Sequence, residues 1–122
     1  MGAEGRSPTI VVGSTAAAAG LADRLIARGE TVGRVDPCVA MSPEAAFDAV
    51  VADLGAPRSV VLAHLDPAAA VARPLVEHTD EEWDAAGERS VRVALQVLQH
   101  AHRHLPDGGS VVVVLPSVAA IG

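Results

Sequence analysis

A chain of 122 residues fits one compact domain and leaves little room for a second. Half of its residues are hydrophobic but only 2% are aromatic, so a core has to be assembled from alanine, valine and leucine packed between layers of structure. The formal net charge of −6 gives no electrostatic attraction to nucleic acid or an anionic membrane, and no apolar run approaches the ~20 residues that span a bilayer.

Residues 1–7 read as a loose leader, and "PTIVVG" follows as a short apolar strand ending in glycine. "STAAAAGLADRLIARG" has helical periodicity, with Ala18, Leu21 and Leu25 on one face and Gly29 as its stop signal. The region has weak signal-peptide character, but its apolar part is broken by Gly, Ser and Thr and runs into that helical pattern, so secretion is not the expectation. "TVGRVD" is a second strand. "MSPEAAFDAVVADLG" is a second helix, with Ser42 at the N-cap, Pro43 at the first helical position and Gly55 at the end. "SVVLAH" is the third strand.

After a Pro- and Ala-rich connection, "TDEEWDAAGERSVRVALQVLQHAHRHL" forms one long helix. Thr79 opens it with Glu82 three residues on, the signature of a capping box. "PDGG" turns the chain into a last strand, "SVVVVL", whose continuous apolar run predicts a buried strand of a parallel sheet. Strands alternating with helices predict an α/β fold, a Rossmann-like three-layer sandwich with a parallel sheet of about four strands and helices on both faces. No internal repeat and no domain boundary interrupts it.

Cys38 is the single cysteine, which excludes an intrachain disulfide and a cysteine metal set and fits a reducing cytoplasm. Three absences are more informative: the chain contains no Lys, no Tyr and no Asn, and all nine basic residues are Arg.

The first strand, turn and helix form a candidate nucleotide site. A helix N-terminus after a tight turn presents free N–H groups and the positive end of a dipole to phosphate. The candidate residues are Gly13, Ser14, Thr15, Ala17 and Ala19, with Asp36 at the end of the second strand placed to bind a ribose 2′-hydroxyl and repel a 2′-phosphate. Alanine methyls at 17 and 19 stand where backbone has to approach a pyrophosphate, so the expectation is no required cofactor and at most weak NAD binding. An ordinary α/β turn that binds nothing fits the same residues.

The order of these features resembles the short-chain dehydrogenase/reductase family. "VVGSTAAAAGLA" takes the place of its glycine-rich turn, "VLAHLD" that of its Asn-Asn-Ala-Gly stretch, and "TDEEWDAAGERS" that of its Thr-x-x-x-Trp-Asp helix start. "SVVVVLPSVAAIG" looks like the strand that delivers the family's catalytic serine, which would fall on Ser117. The resemblance runs from residue 8 to 122 and covers the N-terminal half of a family member. The link from Asp36 to Ser42 is too short for the helix and strand usually found there.

What the resemblance implies for catalysis is a Tyr proton donor, a Lys that lowers its pKa and orients the nicotinamide ribose, the Ser, and an Asn on the long helix. The Asn position falls on Ser90, and the Tyr-x-x-x-Lys would follow Ser117 by about a dozen residues, past Gly122. No Tyr, Lys or Asn within these 122 residues replaces them. Loss of a general acid typically costs about 10²–10⁴-fold in rate, so self-sufficient hydride transfer is not expected.

Further candidates lie at the carboxyl ends of the later strands, where ligands bind in doubly wound sheets. His64, with Asp66 beside it, and Ser117 could serve a cofactor-independent isomerisation, dehydration or cyclisation, or be a surface histidine and a serine that tops its strand. His100 and His104 share a helical face with His102 turned away, which suits either a metal with a third ligand or the negative end of the helix dipole; no metal is assigned. Trp83 reads as a packing residue, and Cys38 as a small hydrophobe.

Two function classes stay open. One is a non-catalytic or auxiliary subunit, acting with a partner such as a full-length reductase. The other is an enzyme: an NAD(P)-dependent oxidoreductase completed by another chain, or a cofactor-independent isomerase, dehydratase or cyclase using His64 and Ser117. The long helix carries two apolar stripes, Trp83, Ala86, Ala94, Val97 and Ala101 beside Val91, Leu95, Leu98 and Leu105. Their arc of roughly 200° is about twice what a one-sided helix needs. With a last strand at or near a sheet edge, this predicts a homodimer or heteromer through helix 80–104.

Overall fold

The computed structural model describes residues 7–37, 42–63, 75–77 and 79–114. Strand β1 (Thr9–Val12) leads through α1 (Ala16–Ala27) to β2 (Val32–Val35), and α2 (Pro43–Leu54) leads on to β3 (Ser59–Leu62). A short 3₁₀ turn at Leu75–Glu77, not foreseen from the sequence, precedes α3 (Asp80–His104) and β4 (Ser110–Val113). The four strands form one sheet in the order β2-β1-β3-β4, every neighbouring pair parallel, which is a Rossmann-like α/β arrangement.

Alternation along each strand sorts the valines and isoleucine onto two faces. Ile10, Val12, Val35, Val60 and Leu62 face α2 and α3, where Phe47, Val97 and Ala101 close over them. Val11, Val61 and Ala63 face α1, which packs through Ala18 and Ala22 with Leu21 and Leu25 at the margin. Alanine at the contact lets a helix lie close to the sheet, so the core is filled by short side chains, with Phe47 its only aromatic among the buried residues described.

The caps lie where the sequence places them. Ser42 accepts from the Ala45 N–H at 3.1 Å, and Thr79 accepts from the Glu82 N–H at 3.1 Å. Gly55 closes α2 with φ at 92°, a left-handed value that favours glycine.

Two expectations are corrected. Trp83 is not packed: it is 64% exposed. The reason is length. A helix of 25 residues reaches about 37 Å, whereas strands of four residues span about 13 Å, so the first turns of α3 overhang the sheet. The last strand is not buried either, since all four residues of β4 are exposed. Helix α3 packs on β3 and α1 on β1 and β2, so among the described residues β4 is the edge strand and no helix packs extensively on it. Within the second stripe of α3, Leu105 packs on the core, while Val91, Leu95 and Leu98 are exposed.

Among the described residues, no helix is long and apolar enough to cross a membrane.

Candidate functional site

From β1 the chain turns first to β2 on one side and then crosses to β3 on the other. The β1–β3 boundary is therefore the topological switch point, and the segments leaving the carboxyl ends of these two strands flank the crevice where such sheets bind ligands. Gly13, Ser14 and Thr15 leave β1 here, Ala63 leaves β3, and Asp36 leaves β2 alongside. His64, Asp66, Ser117 and Cys38 lie outside the described residues. Position 90 falls within α3.

Several polar groups of the turn bond within the fold. Gly13, at φ 142°, donates its N–H to the Val35 carbonyl at 2.9 Å, continuing the β1–β2 ladder for one more residue. Its own carbonyl accepts from the Arg34 guanidinium at 2.9 Å. Arg34 reaches it because it pairs with Val11 in the ladder, on the same face of the sheet and two residues short of Gly13.

Thr15 caps α1. Its Oγ1 accepts from the Ala18 N–H at 3.1 Å and donates to the Ala63 carbonyl at 3.0 Å. That second bond crosses the switch point and ties the start of α1 to the end of β3. Ala63 is held from the other side by its N–H, which donates to Val12 at 2.8 Å. Ser14 and Asp36 also have interaction partners of their own. Ala17 is exposed and Ala19 half-buried on the first turns of the helix.

The sequence pointed to Gly13, Ser14, Thr15, Ala17, Ala19 and Asp36, and the structure gathers these at one end of the sheet. It did not point to Arg34, whose only signal is its place two residues before Asp36 on an alternating strand. Nor did it reveal the Thr15–Ala63 bond, which joins residues 48 apart in the chain. Replacing Thr15 with valine, nearly isosteric but without the hydroxyl, is expected to destabilise the fold by about 1–3 kcal/mol, from the lost cap and an unpaired carbonyl. Thr15→Ser should stay within about 1 kcal/mol of the parent because the hydroxyl is kept. Urea unfolding of both variants checks this, and a Thr15→Val midpoint equal to the parent's would show that the bond across the switch point contributes nothing.

The histidines of α3 form a separate cluster against α2. His100 is 5% exposed and lies with its ring 6.0 Å from that of Phe47, while the His104 ring stacks on the Phe47 ring at 5.7 Å. His104 Nε2 is 3.1 Å from Asp48, and Arg103 is 3.7 Å from Glu44. His102 is exposed. These contacts join two helices, and no third metal-ligating side chain meets the pair among the described residues.

A cavity of about 530 Å³ lies at the opposite end of the sheet, lined by Thr9, Thr31, Arg28, Glu30 and Arg58 among others. It opens at the amino ends of the strands, away from the crevice, and shares no residue with the turn.

The fold and the turn define an α/β protein of Rossmann-like order. Compared with protein-family models, with curated proteins and with solved structures, the chain matches none.

Proposed function

We propose that this chain is a non-catalytic, auxiliary α/β module related in plan to the short-chain dehydrogenases/reductases, which works by docking another protein subunit rather than by transferring hydride. The observation that supports this reading most is the commitment of the Thr15 hydroxyl and the Gly13 carbonyl of the β1–α1 turn to internal bonds. Thr15 spends its donor on Ala63 and its acceptor on Ala18, and Arg34 occupies the Gly13 carbonyl. A turn built to hold a dinucleotide instead keeps its donors for the pyrophosphate and small residues where that group approaches. Residues 1–122 themselves contain no Tyr, Lys or Asn, so this stretch supplies neither the family's proton donor nor its helpers. The exposed apolar flank of α3 and the edge strand β4 supply the docking surface.

Steady-state assays of the purified chain with NAD(H) and NADP(H) and a panel of carbonyl and alcohol substrates are expected to show no turnover. Calorimetry at micromolar concentrations should show little or no heat with either dinucleotide. Any weak binding should favour NAD(H), because the Asp36 carboxylate repels a 2′-phosphate. Turnover that Ser117→Ala abolishes would reverse the reading and make the chain an oxidoreductase; tight NADPH binding would contradict the account of the turn.

A further inference from the structure

We propose that the cavity at the amino ends of the strands binds a small phosphorylated, hydroxyl-bearing compound of the sugar-phosphate class, with Arg28 and Arg58 holding the phosphate and Glu30 accepting from ligand hydroxyls. The proposal goes beyond the docking reading and does not depend on it.

The fold makes this cavity by ending a helix over a row of hydroxyl-bearing residues. Parallel register sets Thr9 of β1 beside Ser59 of β3, and Ser59 beside Ser110 of β4. Alternation puts all three on the face of Val11 and Val61, the side of the sheet on which α1 packs. Helix α1 returns against the direction of the strands, so it ends at their amino ends, where Arg28 is its C-cap and Glu30 and Thr31 lead into β2. It packs on β1 and β2, with the start of β3 to one side of it. The cavity of about 530 Å³ lies in that corner, lined by Thr9, Thr31, Ser59, Arg28, Glu30 and Arg58 among others.

Its unspent groups define the ligand. Among the described residues, neither Arg28 nor Arg58 forms an ion pair with Glu30 or any other acid, although the chain has 15 acids to nine bases. A guanidinium presents a planar fork of donors that matches phosphate oxygens two at a time. Two of them at one cavity suit a group with several anionic oxygens, a phosphate monoester before a single carboxylate. The Ser59 and Ser110 hydroxyls lie 2.9 Å apart, and a hydroxyl pair uses one of its two hydrogens between its members. The other is left to donate.

The same lining excludes other classes of ligand. Among the described residues it includes no aromatic or large aliphatic side chain, so nothing there stacks on a nucleobase or covers a lipid chain. A cation is opposed by two guanidiniums against one carboxylate. Inorganic phosphate fills a small part of the volume and leaves Glu30 as an uncompensated negative neighbour. A compound whose hydroxyls donate to Glu30 satisfies that carboxylate too, and the cavity falls within the range of about 300–1,000 Å³ usual for small-molecule sites.

The test is titration of the purified chain with ribose 5-phosphate, inorganic phosphate and ribose, followed by two-dimensional amide NMR spectra at constant ionic strength. Ribose 5-phosphate is expected to bind saturably at millimolar concentration or below, moving the amides of Thr9, Thr31 and Ser59 while those of Gly13 to Ala18 stay in place. Ribose should not bind. Arg28→Gln and Arg58→Gln, both at exposed positions, should each weaken ribose 5-phosphate by about tenfold or more. Their urea midpoints should stay near the parent's. Glu30→Ala should tighten inorganic phosphate and narrow the preference for ribose 5-phosphate over it.

No saturable shift with either phosphate compound overturns the site, as do shifts confined to the β1–α1 turn. Unchanged affinity in both arginine variants does the same. Ribose binding as tightly as ribose 5-phosphate overturns the role of the phosphate, and a preference over inorganic phosphate that Glu30→Ala leaves intact overturns the role of Glu30. None of these results bears on docking through α3 and β4 or on hydride transfer.

Discussion

Replacing Phe47 with alanine is expected to cost about 3–5 kcal/mol of folding stability, the range for deleting a fully buried aromatic ring. Phe47 is 1% exposed and is the largest side chain in a core otherwise built from valine, isoleucine, leucine and alanine. It stands on α2 between the sheet and the histidines of α3, so its ring joins three elements. The neighbours cannot collapse into the space, because Val12, Val35 and Val60 are fixed in the ladder and β-branched side chains have little rotamer freedom. The buried His100, whose Nδ1 has no hydrogen-bond partner among the described residues, would lose the ring that packs against it. Domains of this kind are stable by about 5–15 kcal/mol in total, so Phe47→Ala should lower the melting temperature strongly. Phe47→Leu, which keeps most of the volume, should lose less than half as much. Guanidinium unfolding of both variants checks the order; equal losses would show that volume at this position is not what the core requires.

The elements and their caps were legible because each is a local signal. Ser42-Pro43 and Thr79 mark helix starts through hydrogen bonds within four residues, and Gly29 and Gly55 mark ends through positive φ. Continuous apolar strands implied a parallel sheet and helices on both faces. What periodicity could not convey was how far each layer extends. The stripe on α3 is periodic through Trp83 and Val91, but whether a stripe is covered depends on the length of the sheet beneath it, which is set by strands elsewhere in the chain. The same applies to β4: "SVVVVL" has the composition of a central strand, and its exposure follows from where α1 and α3 happen to lie.

The candidate site divides along the same line. Its members were legible from their order after strands, and their partners were not. Arg34 was one of nine identical basic residues in the sequence, and only strand pairing brings it to the Gly13 carbonyl. Thr15 looked like a phosphate ligand because a hydroxyl at a helix start serves either a ligand or the fold. The bond to Ala63 gives it a structural task, and with it the turn becomes a brace between β1, α1 and β3. Burial of His100 was equally hidden, since Gln96, Arg103 and His104 lie one turn away on the helix and its ring packs against Phe47 of α2.

Gly33→Ala is expected to destabilise the protein by about 1–3 kcal/mol, the cost of forcing a methyl into a packed interior, although two effects compete. Alanine restricts the unfolded chain and would by itself stabilise by about 0.4–1 kcal/mol. Against this, a Cβ at position 33 would stand 2.3 Å from Val50 Cγ1 and 3.2 Å from Leu54 Cδ1, both on α2. Val50 cannot swing aside cheaply, because a β-branched residue in a helix holds essentially one χ1 rotamer. Relief therefore requires α2 to move off β2, and α2 also carries Phe47, whose position the core depends on. The clash outweighs the entropy gain. Gly33→Val, which adds two more methyl groups at the same point, should be worse still and approach loss of the fold. The cause is tested by a double-mutant cycle with Val50→Ala. Removing the Val50 methyls costs something alone, since Val50 packs against the core, but the pair should lose less than the two single changes added together, by at least about 1 kcal/mol. Strict additivity would show that glycine is required at position 33 for its backbone and not for the closeness of α2 to the sheet.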